Sequence, residues 1–99
     1  MTPILVSLDE GVWDLLGRDR RVLRDLLYHG LIVHPPGFES LNQNTGVTVR
    51  IDVDFFFRKE LLNFAREINV EPSEAAGKII TNSLLSLVYR EKGIQFKLS

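Results

Sequence analysis

Three polar side chains alternate with apolar ones over residues 47–53, and their types suit contacts to nucleic-acid bases. They are Thr48, Arg50 and Asp52. An arginine can donate to O6 and N7 of guanine, a threonine hydroxyl can serve several bases, and a carboxylate can accept from N4 of cytosine. Because phosphates repel a carboxylate, an alternative role for Asp52 is to pair with Arg50 of a partner strand. The alternative for the whole pattern is an amphipathic strand whose polar side meets water.

A candidate phosphate contact lies at Ser73, near the start of a helix predicted over about 72–92 and ended by Gly93. Free N–H groups at a helix start bind anions, and the serine hydroxyl adds a donor. Glu71 and Glu74 flank this position and weaken an anion site. Ordinary helix capping is therefore the simpler interpretation of the same residues.

Arginines are densest near the middle of the first half of the chain, at Arg20, Arg21 and Arg24. Arg20 and Arg24 are about one turn apart on a helix and so share a face. This face is a second candidate for phosphate contacts. Acidic residues interrupt the cluster, and a solvated helix face explains it equally well.

The elements that position these side chains follow from periodicity and capping. Alternation over 47–53 predicts a strand with one buried and one presented face. Asp54 stands where a helix N-cap belongs, and an apolar stripe predicts a helix over 55–68. Asn69 tolerates the left-handed conformation and can end that helix.

A strand, a helix, a tight turn and a second helix over about residues 47–93 resemble the ribbon-helix-helix family of Arc- and MetJ-type repressors. Residues 48–54 and 65–73 carry the resemblance. It implies that two strands pair antiparallel, enter the DNA major groove and read base edges, while the second helix starts hold phosphates. It further implies a homodimer or single-chain pseudo-dimer on double-stranded DNA: a transcription regulator such as a repressor, an antitoxin or a partition factor.

The beginning of the chain repeats this order in shortened form. A strand is predicted over 4–8, Asp9 can cap a short helix, and a further helix is predicted over 20–29, with Gly30 ending it. Residues 3–30 would then be a degenerate first copy of the later unit. We predict that strand 47–53 pairs antiparallel, with 4–8 of the same chain or with 47–53 of a second chain.

A winged-helix DNA-binding fold is the main structural alternative. Residues 31–34 form a short apolar strand candidate, and a loop over 35–46 separates them from strand 47–53. A helix over 20–29 followed by such a hairpin is similar to a winged helix. Pairing of 31–34 with 47–53 would favour it.

Three consecutive aromatic residues at 55–57 span about 200° of a helix surface, so one stripe cannot bury them all. We expect this helix to make apolar contacts on two sides, one with the second helix and the other with residues 1–34 or another subunit. Six side chains are predicted to be largely buried: Phe57, Leu61, Phe64, Ile79, Leu84 and Leu87.

The predicted elements and the ribbon-helix-helix resemblance imply an α+β fold with short antiparallel strands packed on helices, and the length suits a single domain over 1–99. It would comprise a first half at 3–34, a loop at 35–46, a second half at 47–93 and a tail or terminal strand at 94–99. With 99 residues, 44% hydrophobic and 25% charged, the chain has a globular composition. No apolar run reaches the ~20 residues of a membrane span, and no signal peptide is visible. We therefore expect a cytoplasmic protein.

Charge and residue types restrict the function classes. The net charge is −1, so a DNA-binding surface must be a local patch rather than a general basic excess. The chain has no cysteine, and His29 and His34 lack ligand spacing, so no metal or cofactor is expected. No catalytic set of side chains is evident, and an enzyme is not predicted. A protein-interaction module of the same architecture is the alternative to DNA binding, favoured by acidic Asp52, Glu71 and Glu74.

Overall fold

Two strands and four helices follow one another in the computed structural model, which describes residues 1–33 and 46–91. In chain order they are strand β1 (Thr2–Leu8), helix α1 (Glu10–Leu15), helix α2 (Arg20–Val33), strand β2 (Val47–Val53), helix α3 (Phe55–Ile68) and helix α4 (Pro72–Glu91). The described part of the chain is a small α+β fold, as predicted. Its element order is strand–helix–helix, twice.

The two strands form an antiparallel ribbon within one chain. Thr2 lies opposite Val53 and Leu8 opposite Val47, so the strands overlap over their full length. Alternate residues on one face are buried among the helices, as the period of two predicts. Of the two predicted partners for residues 47–53, the structure confirms the strand near the start of the same chain, which begins two residues earlier than expected.

Helix α2 is longer than predicted, and the expected strand at 31–34 is wrong. Residues 31–33 form the last turn of α2, and β2 pairs with β1 instead. Gly30 does not end the helix; it lies buried where α2 meets α4. A Cβ atom there would lie 2.3 Å from Cγ2 of Ile79 and 2.6 Å from Oγ of Ser83. Glycine is required for this close approach, and the hairpin of the winged-helix alternative is not formed by 31–33.

Each strand leads into its helix through the same cap. The Asp9 carboxylate accepts from the N–H of Gly11 at 2.8 Å, and the Asp54 carboxylate accepts from the N–H of Phe56 at 2.9 Å. Both aspartates have extended backbone conformations. These caps satisfy N–H groups that lack partners inside a helix, and they fix where each helix begins.

The first helix of each pair ends differently. Helix α3 ends at Asn69, which has φ 57° in the left-handed region, as predicted. Helix α1 ends after only six residues, where Gly17 and Arg18 both adopt positive φ. Glycine adopts this conformation without steric cost, whereas the arginine does so beside a 2.7 Å ion pair with Asp14. The early end of α1 is therefore one reason why the first half of the chain is shorter; α2, with 14 residues against 20 in α4, is the other.

Helix α4 runs through the centre of the fold. It packs against β1, α2 and α3, and residues 75–83 are buried except Lys78. A helix enclosed on nearly all sides carries apolar or small residues around its whole circumference. The buried apolar side chains form one cluster: Val6, Leu8, Trp13, Leu23, Leu26, Leu27, Leu31, Val49, Ile51, Val53, Leu61, Ala65, Ala75, Ala76, Ile79 and Ile80.

The six side chains predicted to be largely buried all belong to the core cluster or pack against it, but only two of them are fully enclosed. Leu61 and Ile79 are buried, whereas Phe57, Phe64, Leu84 and Leu87 are half-buried at the edge of the core. Only Leu61 and Ala65 of α3 are buried in the core, and the aromatic side chains lie on either side of them, where they are partly exposed. Helix α4 is enclosed only as far as Ser83, which leaves the two leucines partly exposed.

The two halves of the chain are intertwined. Helix α4 of the second half packs on β1 of the first, and α2 of the first half packs on β2 of the second. The ribbon and the α2–α4 contact also join the halves, so the common core belongs to both. The predicted end of α4 at Gly93, the terminal strand and nearly all of the predicted loop lie outside the described residues.

Candidate nucleic-acid interface

The presented face of the ribbon carries the three side chains predicted to contact bases. Thr48, Arg50 and Asp52 are all exposed. They alternate along β2 with residues whose side chains are buried in the core. Because successive side chains of a strand point to opposite faces, these three point away from the core. Across both strands, which lie wholly within the described residues, Arg50 is the one cationic side chain.

Strand β1 completes this face with Pro3, Leu5 and Ser7. The register places them opposite Asp52, Arg50 and Thr48 respectively. Asp52 therefore has a proline opposite it, so the predicted pairing with an arginine of the partner strand is wrong. On this exposed face each opposed pair joins two different residue types, because the ribbon is formed within one chain and not by two copies of one strand.

The close contacts on this face are between directly opposed side chains. Pro3 has no N–H, so it cannot form a doubly hydrogen-bonded pair with Asp52. Pair types alternate along an antiparallel ladder, so the Leu5–Arg50 pair is also of the non-hydrogen-bonded type. Such pairs have Cα atoms about 4.5 Å apart and bring their side chains closest. Leu5, 53% exposed, therefore lies directly beside Arg50 at the centre of the face.

Arg20 is brought to the edge of the ribbon from the start of α2. Its Nε donates to the backbone carbonyl of Arg50 at 3.0 Å, and its side chain is exposed. The carboxylate of Asp19 accepts from the N–H of Arg21 at 2.9 Å and so caps this helix. The result is two arginines, one on the strand and one beside it, on neighbouring parts of the surface.

The other predicted phosphate contacts are placed less favourably. Arg21 is exposed, without a described contact to the ribbon, and Nε of Arg24 lies 3.8 Å from a carboxylate oxygen of Asp25. Ser73 is half-buried at the second position of α4, between the exposed Glu71 and Glu74. The structure therefore joins Arg20 to the ribbon and does not join the other three residues to it.

Tyr28 was not identified from the sequence, yet it fixes the junction between β2 and α3. Its hydroxyl oxygen accepts from the N–H of Asp54 at 2.8 Å, and its ring stacks on Phe57 with centroids 3.9 Å apart. Phe57 thereby contacts residues 1–34, as predicted. Phe55 and Phe56 are 65% and 57% exposed, so residues 1–33 and 46–91 leave both rings largely uncovered. No local pattern marks Tyr28, because its partners are more than 25 residues away.

The described residues offer no evident site for other chemistry. In residues 1–33 and 46–91, no three acidic or histidine side chains form a group that could hold a metal ion. In the same ranges, no helix has the length and apolar character that crossing a membrane requires.

Comparison with protein families, curated proteins and solved structures found no match to this chain. Function must therefore be inferred from the residues and their placement.

Proposed function

We propose that this chain is a DNA-binding regulator of the ribbon-helix-helix type, formed as a single-chain pseudo-dimer. The observation that carries the proposal is an exposed two-stranded antiparallel ribbon with Arg50 at its centre and Arg20 at its edge. A major groove about 12 Å wide admits a two-stranded ribbon of this kind. The core buries the opposite face of the ribbon, so the polar face is held outward on a rigid support.

Each side chain on β2 has a role that its chemistry suits. Arg50 donates to O6 and N7 of guanine, the commonest specific contact between proteins and DNA. Thr48 contacts a neighbouring base or its methyl group, and Asp52 accepts from N4 of cytosine. The tether from Arg20 to the Arg50 carbonyl fixes the start of α2 against the strand, which supports a defined geometry for both arginines.

Phosphate contacts supply affinity without sequence information. Arg20 is the best-placed donor, because its guanidinium is exposed beside the ribbon. Arg21 and Arg24 extend the basic surface along α2, and Ser73 is a weaker candidate between two glutamates. With a net charge of −1, this local patch must provide the electrostatic attraction.

The proposal is tested by fluorescence anisotropy of labelled random-sequence duplexes titrated with the full chain at several salt concentrations. We expect binding that weakens as salt rises from about 50 to 200 mM, with a slope of about −0.9 per phosphate contact. Single-stranded DNA of the same composition is the control for groove recognition. Failure to bind duplexes at the lowest salt would reject DNA binding.

A protein-interaction module is the second candidate, and the apolar character of the face favours it. Leu5 is exposed at the centre of the ribbon, and Phe55 and Phe56 are exposed at the start of α3. Exposed aromatic side chains such as these two phenylalanines are enriched at protein-binding surfaces, and Leu5 adds apolar area to the ribbon face. The same titration distinguishes the two functions, since an interaction module remains folded and gives no salt-dependent DNA signal.

A further inference from the structure

We infer that the ribbon recognises a non-palindromic DNA sequence, in which one strand of the ribbon reads bases and the other contributes little. This inference rests on the proposed function and specifies its DNA target. A symmetric dimer presents two copies of one strand and therefore matches a DNA site with two-fold symmetry. The ribbon of this chain has the same antiparallel pairing, but its two strands present different side chains on the exposed face.

The correspondence between the strands follows from their positions. β1 begins at Thr2 and β2 at Val47, and both have seven residues, so each residue of β1 corresponds to the one 45 positions later. Leu5 then corresponds to Arg50, and the register places these two directly opposite each other. The pseudo-two-fold axis passes between a leucine and an arginine, and a symmetric ribbon would have the same residue on both sides.

The side chains of β1 have little capacity to read bases. Pro3 has no side-chain hydrogen-bonding group, and Leu5 offers only apolar contact, such as with a thymine methyl group. Ser7 has a hydroxyl but is partly buried. On β2 the corresponding positions are Thr48, Arg50 and Asp52, all exposed and all able to hydrogen-bond base edges.

The charges beside the ribbon have the same asymmetry. The N–H of Leu23 bonds to the carbonyl of Asp19, and the N–H of Ala75 bonds to that of Glu71, so these turns of α2 and α4 correspond. The positions that correspond to the three arginines of α2 are occupied in α4 by Pro72, Ser73 and Ala76. Electrostatic contacts to phosphates are therefore concentrated on the side of α2, whose Arg20 is bonded to β2.

The test is selection of duplexes from a random pool with the full chain, followed by trimming of the selected duplex to its minimal site. Sedimentation of the complex then gives the number of chains on that site. We expect one chain on a minimal site without dyad symmetry. Replacing its guanine pair should lower affinity about 5- to 150-fold, whereas replacing base pairs under β1 should leave affinity nearly unchanged.

Leu5→Arg is the informative variant, because it introduces an arginine at the position related to Arg50. Leu5 is largely exposed, so the variant should fold, and its thermal melting curve checks this. Selection with Leu5→Arg should add a guanine preference on the second side of the site. A dyad-symmetric minimal site held by one wild-type chain would overturn the inference, as would duplex binding without any selected sequence. Absence of all duplex binding would instead reject the proposed function.

Discussion

At the scale of single residues, Arg50 carries the proposed base recognition. We expect Arg50→Ala to lose about 1–3 kcal/mol of binding to the selected duplex and to relax the preference at one base pair. Its binding to a scrambled duplex should change much less, because the lost contact is to a base. Anisotropy titrations of both duplexes at one fixed salt concentration measure the two effects.

Arg66→Ala is the matched control for Arg50→Ala. Arg66 is exposed in the last turn of α3, so its substitution removes the same charge far along the helix from the ribbon. It should leave the preference for the selected duplex unchanged. If Arg50→Ala and Arg66→Ala have the same effect on both duplexes, Arg50 does not read a base.

Arg20 should behave differently, since its proposed partner is a phosphate. We expect Arg20→Ala to weaken binding to selected and scrambled duplexes alike and to reduce the salt slope by about one contact. A loss confined to the selected duplex would show instead that the bond to the Arg50 carbonyl positions Arg50. Titrations at several salt concentrations distinguish the two roles.

The sequence was sufficient to predict which ribbon side chains point outward on β2. Alternation alone sets their direction, and the exposure of Thr48, Arg50 and Asp52 agrees with it. It could not show what lies opposite Asp52 or that Arg20 reaches β2. Both facts depend on which elements pack together. The residues of each pair lie about 30 to 50 positions apart in the sequence, so no local sequence pattern predicts their contact.

At the scale of elements, Gly30 governs the contact between α2 and α4. We expect Gly30→Ala to lower the free energy of unfolding by about 1–2 kcal/mol. Alanine gains about 1 kcal/mol in helix propensity, but its Cβ would lie 2.3 Å from Cγ2 of Ile79, and overpacking typically costs about 1–3 kcal/mol or more. Urea denaturation followed by circular dichroism measures the change.

The Ile79→Ala background provides the control for this substitution. With the clashing methyl group removed, Gly30→Ala should cost clearly less there, because the closest of the three contacts is absent and only those to Oγ of Ser83 and to the carbonyl oxygen of Ile79 remain. An equal loss of stability in both backgrounds would show that the close contact is not the cause. Helix propensity could not reveal the role of Gly30, because a glycine near a helix end has the same appearance whether it stops the helix or permits packing.

Helix α3 offers a second test of packing. Leu61 is 0% exposed, so Leu61→Ala should cost about 2–5 kcal/mol. Phe64→Ala should cost less than the 3–5 kcal/mol typical of a buried phenylalanine, because Phe64 is only half-buried. Denaturation of the two variants gives the order directly, and a larger loss for Phe64→Ala would mean that α3 presents a different face to the core.

At the scale of the whole molecule, the sequence predicts the repeated strand–helix–helix order, and capping explains why. Asp9, Asp54 and Asn69 fix three helix boundaries by local chemistry, and the structure agrees with each. How the halves combine could not be predicted, because the α2–α4 contact depends on shape. Gly30 is complementary to Ile79 and Ser83, and no periodicity encodes such a fit.

The same complementarity predicts that the two halves require each other and are not interchangeable. In α4 the position that corresponds to Gly30 is Asn82, counting from the matched turns at Asp19 and Glu71. A second copy of α4 could therefore not pack on α4 as closely as α2 does. It would place the side chain of Asn82 where Gly30 lies, and even a Cβ atom there would collide with Ile79. Dimerisation of the second half through this contact should therefore be blocked.

We expect fragments 1–40 and 41–99, each studied separately by circular dichroism, to lack a cooperative thermal transition. β1 and β2 would lose their partners, and much of the core would be exposed, because the main contacts join the halves. An equimolar mixture should regain helix content and a cooperative transition, with the intact chain as the reference. A cooperative homodimer of 41–99, seen by sedimentation, would show that α4 can pack on itself. Such a dimer would place Arg50 opposite Arg50, so it would also supply the symmetric ribbon that the intact chain lacks.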